Sequence, residues 1–351
     1  MAVNQRADRA RLQEVADRAG VSASTVSLVL AHKAERRRIS ADTRARVQKA
    51  AEELNYAPNL LTRSLKKGRT QIISFFSTFR HREWGDIYMD RVSSAVETAG
   101  GELGYDILIH CNSKRSPKEI YQFLNGGLAD GLILFAPEKD NELLRLLRMS
   151  SLPVVLFNGR DALGQYSSSG DDVEAGIKVI ADQILAHGHK RIGALGSLGP
   201  DVRDSNLRIG LLREQLALHG IPLEEEMVVW AEKDPLPVLK RLMSHPQPPT
   251  LLFCWHDWMA YRALEACDEL GIQVPADLSV IGYDGIHWPS TSKHIAASIE
   301  VDVRAIAGEA VKLLDLSISE PGRPSIQVAL PIQFSLGTTL APLSSLQRST
   351  Q

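Results

Sequence analysis

The chain has few cysteines, few aromatic residues and no long apolar run. Its 351 residues include three cysteines and 6% aromatic side chains. Cys111, Cys254 and Cys267 are odd in number and lack metal-ligand spacing, which argues against a disulfide framework and favours reduced thiols in a cytoplasm. No run reaches the roughly 18 to 20 apolar residues that a membrane-spanning helix needs, so we expect no membrane partner.

Targeting and catalytic patterns are also missing. The first ten residues hold Arg6, Asp8 and Arg9 and no apolar stretch, so we expect no secretory signal and a cytoplasmic, nucleoid-associated protein. The sequence contains no G-x-S-x-G elbow, Walker A loop, H-E-x-x-H pair or Rossmann glycine fingerprint. His187 and His189 could be a metal pair, but a helix C-terminus explains them better. We therefore expect no enzyme, no cofactor and no metal.

The charge is unevenly distributed. The net charge is only -2, yet residues 1–69 carry 15 Lys or Arg against 7 Asp or Glu, a local net charge of +8. The remainder therefore carries -10. A basic head on an acidic body suits a phosphate-binding module joined to a sensor. The length and the 44% apolar content indicate two or three folding units with a sizeable core.

Residues 12–30 contain two short helical faces separated by Gly20. A glycine tolerates the left-handed backbone at which a first helix can stop, and Ser22 is a suitable N-cap for a second helix. Short hydroxyl side chains then occupy the outer face of that second helix. This pattern predicts a helix-turn-helix, whose second helix enters the DNA major groove. An ordinary helical hairpin is the alternative, but its exposed face would be richer in Glu and Lys.

Val15 to Ser27 match the pattern V-A-x-x-A-G-V-S-x-x-T-V-S position for position. The stretch thereby resembles the amino terminus of the lactose-repressor (LacI) family of bacterial transcription regulators. The resemblance implies DNA contacts from the second helix, at Ala23, Ser24, Thr25, Ser27 and Leu28. The family usually has Arg where this chain has Leu28. Because Leu cannot form the bidentate contact of Arg with guanine, the operator half-site can differ, or Leu28 can contact a thymine methyl group.

A third helix and a hinge follow in the sequence. Ser40 is placed to cap a helix over 41–54, after a loop in which Arg36, Arg37 and Arg38 either contact phosphates or are merely solvated. The resemblance implies that residues 60–67 form a hinge helix ordered on operator DNA. Its DNA contacts would come from the residues Asn59, Arg63 and Leu65. Leu65 would wedge into the minor groove, or it packs on the body instead.

From residue 71 onward, apolar runs alternate with amphipathic segments. The runs lie at 72–76, 106–110, 131–135, 153–157, 191–195, 251–255 and 278–283. The amphipathic segments lie at 88–99, 141–149, 176–187, 207–219 and 259–270. Such alternation predicts an α/β fold of parallel sheets with helices on both faces. About 275 residues of it favour two lobes with a cleft between them.

The body also resembles the LacI family, whose core has the fold of periplasmic sugar-binding proteins. The phrases that carry this resemblance are DGLIL at 130–134, HGHKRI at 187–192 and VIGYD at 280–284. It implies three crossings between lobes, near Ser167, Ser298 and Ile332. The expected domains are a helix-turn-helix domain at 1–58, a hinge and linker at 59–70, an N-terminal lobe at 71–166 with 299–331, and a C-terminal lobe at 167–298 with 332–351.

Ligands of open parallel sheets bind beyond the carboxyl ends of the strands. The candidate effector residues at those ends are Ser77, Asn158, Trp255, His256, Asp257 and Asp284, and the resemblance adds Arg208 and Trp230. The resemblance implies that Arg208 and Asp284 hold the effector's polar groups, and we expect them to face each other across it. A salt bridge between lobes is the alternative for Arg208. Tryptophan faces suit the apolar side of a sugar ring, but Trp230 and Trp255 could equally be core residues.

The sequence therefore predicts a ligand-responsive, sequence-specific transcription regulator. Its partners would be double-stranded operator DNA, a small-molecule effector, most simply a sugar, and a second copy of the chain, since a two-fold operator needs a homodimer. Two other interpretations stay open. One is a regulator that binds DNA together with a purine-type corepressor, and the other is a solute-binding protein that shares the body fold.

The hinge assignment predicts the effect of Leu65→Ala. Loss of a wedge between base pairs should weaken specific operator binding by roughly 1–3 kcal/mol, the scale of a lost base-level contact. Binding to nonspecific DNA and the melting temperature of the free protein should hardly change. Gel-shift titrations on both kinds of DNA check this. A large fall in melting temperature without DNA would instead identify Leu65 as a core residue.

Overall fold

The computed structural model describes residues 10–30, 39–57, 68–77, 86–110, 114–135, 142–159, 161, 163–198 and 202–346. The chain divides into two compact units, Met1–Gln71 and Ile72–Gln351. We call the first unit the head and the second the body, and each is described by itself.

The head contains three helices around one small core. They are α1 (Leu12–Ala19), α2 (Ala23–Leu30) and α3 (Ala41–Glu53). Gly20 ends α1 in the left-handed conformation, with φ of 64°. The Ser40 hydroxyl accepts a hydrogen bond from the Thr43 amide at 3.2 Å and so caps α3 as predicted. The buried residues that join the helices are Val15, Ala16, Ala19, Val26, Val29, Val47, Ala50 and Ala51.

The body alternates strands and helices along most of its length. Its strands are β1 (Ile72–Ser77), β2 (Asp106–His110), β3 (Gly131–Phe135), β4 (Val154–Phe157), β5 (Ser167–Asp171), β6 (Ile192–Ser197), β7 (Val228–Ala231), β8 (Leu251–Cys254), β9 (Ser279–Ile281), β10 (Ser298–Glu300), β11 (Gln327–Leu330) and β12 (Gln333–Ser335). Its helices are α4 (Ile87–Glu102), α5 (Pro117–Leu124), α6 (Glu142–Leu147), α7 (Val173–Ala186), α8 (Val202–Ala217), α9 (Leu236–Met243), α10 (Asp257–Leu270), α11 (Val303–Ser319) and α12 (Leu343–Leu346).

Two parallel sheets form the two lobes of the body. The first lobe has six strands in the order β11-β5-β4-β3-β1-β2, and the second has four in the order β7-β6-β8-β9. Separate apolar clusters line the two faces of each sheet. In the first lobe, α4 and α11 cover one face, and α5 and α6 the other. Strands buried on both faces explain the continuous apolar runs in the sequence, and the predicted α/β architecture is confirmed.

The chain crosses between the lobes at points that differ slightly from the prediction. The strand that starts at Ser167 pairs with β4 and β11 in the first sheet, so the first crossing comes after Asp171. The second comes after Glu300, because β10 pairs with β12 as an antiparallel ribbon. The third lies between Leu330 and Gln333, which includes the expected position at Ile332.

Strand β5 has no apolar run, yet it lies inside the first sheet. Ser167, Ser168 and Ser169 are buried. Their hydroxyls are nevertheless satisfied: Ser167 accepts from the Ile326 amide at 3.0 Å, Ser168 donates to the Gln327 side chain, and Ser169 donates to a helix carbonyl at 3.0 Å. Buried hydroxyls with partners cost little, so a serine run can occupy a sheet interior.

Several expectations concern residues without a structural description here. Arg36, Arg37, Arg38, Asn59, Arg63, Leu65 and Cys111 lie outside the described residues. Cys254 and Cys267 are buried free thiols. Within the described part of the chain, no helix is both long and apolar enough to cross a membrane.

Candidate functional site

The second helix of the head presents the residues expected at DNA. Val26 and Val29 are buried against the other helices, whereas Ser24 is exposed and Ala23, Thr25, Ser27 and Leu28 are partly exposed. The Ser22 oxygen accepts a hydrogen bond from the Thr25 amide at 3.2 Å, which caps α2 as predicted. The same oxygen lies 2.7 Å from the Ser24 hydroxyl and 2.9 Å from that of Thr25. Ser22 therefore holds the Ser24 and Thr25 hydroxyls together at the start of α2.

In the body, Arg208 is the centre of a buried polar cluster at the carboxyl ends of the second sheet. Its Nη1 donates to the Trp255 carbonyl at 2.7 Å, and its Nη2 donates to Asp284 Oδ1 at 3.2 Å. Its guanidinium carbon lies 3.8 Å from the centre of the Tyr283 ring. Only 11% of the Arg208 side chain and 9% of the Asp284 side chain are exposed. The two therefore contact each other directly, within one lobe, and do not stand on opposite sides of a gap.

Asp284 is held in an unusual backbone conformation. Its φ is 109°, a region that side chains other than glycine rarely adopt. Asp257 secures the segment from both sides: its amide donates to the Tyr283 carbonyl at 2.8 Å, and its carboxylate accepts from the Ile286 amide at 2.6 Å. Burial raises the pKa of the Asp284 carboxyl, while the Arg208 charge acts in the opposite direction and favours the carboxylate. The strained backbone of Asp284 and the Asp257 contacts around it thus hold the Asp284 carboxylate against Arg208.

The first lobe contributes a second polar group. Asn158 follows β4 with a φ of 49°, and its Nδ2 donates to the Tyr88 hydroxyl at 2.7 Å. Its Oδ1 is buried and has no hydrogen-bond partner among the described residues. Burial raises the pKa of Tyr88 well above its ordinary value, and the Asp284 and Asp171 carboxylates raise it further. Because Asp284 belongs to the second lobe, Tyr88 and Asn158 lie near the junction of the two lobes.

Sequence reasoning did not select Tyr88. It lies at the start of α4, the helix that follows β1, and so at the ligand-binding edge of an open sheet. A tyrosine at that place was the available signal. Ser77, which was selected, ends β1 in the same sheet, two strands away from β4.

The candidate aromatic residues Trp230, Trp255 and His256 pack against other parts of the second lobe. The Trp255 and His256 rings are stacked, with centres 3.6 Å apart and an angle of 18°. Trp255 is 6% exposed, so His256 covers one of its faces inside the protein. Trp230 lies on β7 beside Gly196 of β6, and a Cβ on that glycine would come within 2.3 Å of the indole ring. Gly196 thus makes room for Trp230, which stays partly exposed.

His256 is a structural part of this site. Its Nδ1 accepts a hydrogen bond from the Met259 amide at 3.2 Å and caps α10. Burial lowers the pKa of His256 to about 3, and the nearby Arg208 charge lowers it further. Because a proton on Nδ1 would remove the acceptor that caps the helix, the neutral ring is the form that fits the fold.

The lowered pKa of His256 predicts a loss of stability in acid. Below pH 6.5 the unfolded chain binds a proton at this histidine, whereas the folded chain does not until about pH 3. The contribution of neutral His256 to the unfolding free energy is therefore complete above pH 6.5. It decreases as the pH is lowered below 6.5, with a slope that approaches about 1.4 kcal/mol per pH unit. His256→Asn keeps an acceptor for the helix cap but removes the titrating group. Its unfolding free energy should depend less steeply on pH between 6.5 and 4.5.

Urea unfolding at a series of pH values measures this slope. The matched control is His219→Asn, since His219 is exposed on the surface. Parallel pH profiles for wild type and His256→Asn would contradict the assignment.

Two protein families match separate parts of the chain. Residues 11–59 match the family described as bacterial regulatory proteins, lacI family. Residues 181–340 match a periplasmic binding protein-like domain. The first region contains the three helices of the head, and the second contains most of the second lobe together with α11.

Curated relatives cover most of the chain. The HTH-type transcriptional repressor PurR of Proteus mirabilis (strain HI4320) is 32% identical over 286 residues, which is 79% of this chain and 81% of the relative. The protein of the same name from Yersinia pestis bv. Antiqua (strain Antiqua) is likewise 32% identical over 286 residues, with the same coverage.

Solved structures share the fold over nearly the full length. The lac repressor dimer bound to operator and the anti-inducer ONPF has a TM-score of 0.79 at 23% identity, covering 95% of this chain and 100% of that one. A complex of the transcriptional regulator CelR with cellobiose has a TM-score of 0.68 at 22% identity, with the same coverage.

Proposed function

The chain belongs to the lacI family of bacterial regulatory proteins, and from that premise we propose that the Arg208 cluster binds a neutral sugar that releases operator DNA. The protein is a ligand-responsive, DNA-binding transcription regulator. Members of the family are regulators, and we assign no catalytic step to this chain. The sign of the response, the class of effector, the dimeric state and action in the cytoplasm are parts of the proposal.

The Arg208–Asp284 pair supports a polar, uncharged effector. One sugar hydroxyl can accept a hydrogen bond from the guanidinium and donate one to the carboxylate, because the two groups lie 3.2 Å apart. Their opposite charges compensate each other, so a phosphorylated ligand would find little net positive charge. Asn158 adds a buried acceptor oxygen that no described residue hydrogen-bonds to, and it adds no charge. The buried Arg208–Asp284 pair is the observation that carries the proposal.

The head supports recognition of an operator half-site by α2. Ser24 is exposed, and Thr25, Ser27 and Leu28 are partly exposed beside it. Since one helix-turn-helix reads one half-site, we propose that two copies bind a two-fold operator together. Leu28 would discriminate by contact with a thymine methyl group and not by a bond to guanine. The relatives are transcriptional repressors, which supports repression as the activity on DNA.

A panel of compounds tests the effector class directly. The full-length protein is heated with cellobiose, glucose, ribose, glucose 6-phosphate, adenine or hypoxanthine. We expect a neutral sugar to raise the melting temperature, because a ligand at 100 times its Kd stabilises a protein by about 2.7 kcal/mol. The same sugar should weaken operator binding. Stabilisation by a purine base that instead tightens operator binding would overturn the proposal in favour of a corepressor.

Asp284→Asn should weaken effector binding without weakening operator binding. The amide keeps the shape of the side chain and an acceptor for Arg208, but it loses the charge-assisted bond to a ligand hydroxyl. The expected cost of about 1.5–3 kcal/mol is roughly ten- to a hundredfold in affinity for the sugar that the panel selects. The variant should then remain on operator DNA at sugar concentrations that release the wild type.

Titration of that sugar against labelled operator DNA measures both effects. Asp182→Asn is the matched control, because Asp182 forms an exposed ion pair with Lys178 on α7. Superimposable release curves for Asp284→Asn and the wild type would remove Asp284 from the effector site.

A further inference from the structure

Asp171 is the last residue of the first lobe before the chain crosses to the second. It ends β5, where it pairs with Leu330 at the end of β11. The next residue, Asp172, donates its amide to the Leu330 carbonyl at 3.3 Å and caps α7 through the Ala175 amide at 3.0 Å. The backbone at Asp171 is therefore fixed at the point where two of the three crossings come together.

Tyr283 of the second lobe reaches this point. Its side chain is fully buried, and its hydroxyl donates to Asp171 Oδ2 at 2.7 Å. The other end of the residue is fixed as well, because its carbonyl accepts from the Asp257 amide at 2.8 Å. One side chain thus joins the last residue of β5 to the segment that carries Asp284.

The Tyr283 ring also contacts the side chain of Arg208. The guanidinium carbon lies 3.8 Å from the ring centre, so the guanidinium packs against the face of the ring in a cation–π contact. From that position Arg208 bonds to Asp284 and to the Trp255 carbonyl. A displacement of the ring would therefore shift the donor that both of these bonds depend on.

Gly176 of α7 makes the Asp171–Tyr283 bond possible. A Cβ at this position would lie 2.5 Å from the Tyr283 hydroxyl and 3.0 Å from the ring. Such distances are too short for non-bonded atoms, so any larger side chain would push the hydroxyl off Asp171. A buried glycine inside a helix is otherwise less favourable than alanine. Its presence here fits the room that the tyrosine needs.

We propose that Tyr283 is a positioning residue that couples the orientation of Arg208 to the relative position of the two lobes through its bond to Asp171. This inference rests on the proposed effector site at Arg208. A movement of the lobes at the crossing either breaks the Tyr283–Asp171 hydrogen bond or moves the Tyr283 ring. Either event reorients the Arg208 guanidinium. Conversely, a ligand that moves Arg208 acts on the crossing. The bond therefore biases the equilibrium between two arrangements of the body.

Operator affinity in the absence of any small molecule tests the coupling. Full-length wild type first selects an operator from a random DNA pool, and the variants Tyr283→Phe, Asp171→Ala and the double variant are then titrated against it. Each single variant should change operator affinity at least fivefold, in the same direction, because allosteric couplings are commonly 5- to 150-fold. The double variant should show no further change, since both substitutions remove the same bond.

Three controls separate coupling from simple loss of structure. Asp171→Asn keeps an acceptor oxygen and should stay within twofold of wild type. Binding to nonspecific DNA should be the same for all variants. If Asp171→Ala fails to fold, Gly176→Ala replaces it and should match Tyr283→Phe, because the new methyl group displaces the hydroxyl.

The outcomes distinguish this inference from the proposed effector. Operator affinities within twofold of wild type, or additive effects in the double variant, would overturn the coupling even if the compound panel identifies a sugar. Equal, non-additive shifts would support the coupling even if no sugar in the panel binds. A merely structural tyrosine would lower the melting temperature and leave operator affinity unchanged.

Discussion

The body depends on a guanidinium that is almost completely withdrawn from water. Removing an ion from water costs several kcal/mol even after the protein relaxes, so Arg208 requires partners on every side. Asp284 supplies the charge, the Trp255 carbonyl a hydrogen bond and Tyr283 an aromatic face. Deleting one partner of such a pair typically destabilises a protein by about 3–5 kcal/mol. The strand ends of the second lobe are arranged around this single cation.

The proposed recognition of a sugar depends on the same constraint. A buried pair with compensated charges can exchange hydrogen bonds with hydroxyl groups without attracting a formal charge. The strained backbone of Asp284 and the neutral, capping ring of His256 help to maintain that arrangement. Preformed geometry of this kind reduces the ordering cost of binding, which leaves more of the interaction energy for selectivity.

Much of the fold was predictable because apolar periodicity reports burial. The runs at 131–135 and 251–255 correspond to strands covered on both faces, and Gly20 and Ser40 end and begin helices as their chemistry suggests. Strand β5 was not predictable in this way, because its serines are satisfied by partners distant in sequence. The first crossing was therefore expected too early, at Ser167 and not after Asp171.

The Arg208–Asp284 cluster was predictable in part: strand ends and the family resemblance both pointed to Asp284, and the resemblance alone pointed to Arg208. The site was not predictable where a role depends on a contact between residues distant in sequence. Tyr88 meets Asn158 across 70 residues, and Tyr283 meets Asp171 across 112. Neither pair has a local signature. Trp255 shows the converse: its position suggested a sugar platform, but His256 covers one face of its ring.

The most direct test of the account is a crystal structure of the full-length protein with the sugar that most raises its melting temperature. We predict sugar hydroxyls within hydrogen-bond distance, about 3.2 Å or less, of the Arg208 guanidinium, the Asp284 carboxylate and Asn158 Oδ1. A sugar bound elsewhere, with the Arg208–Asp284 pair untouched, would contradict the account.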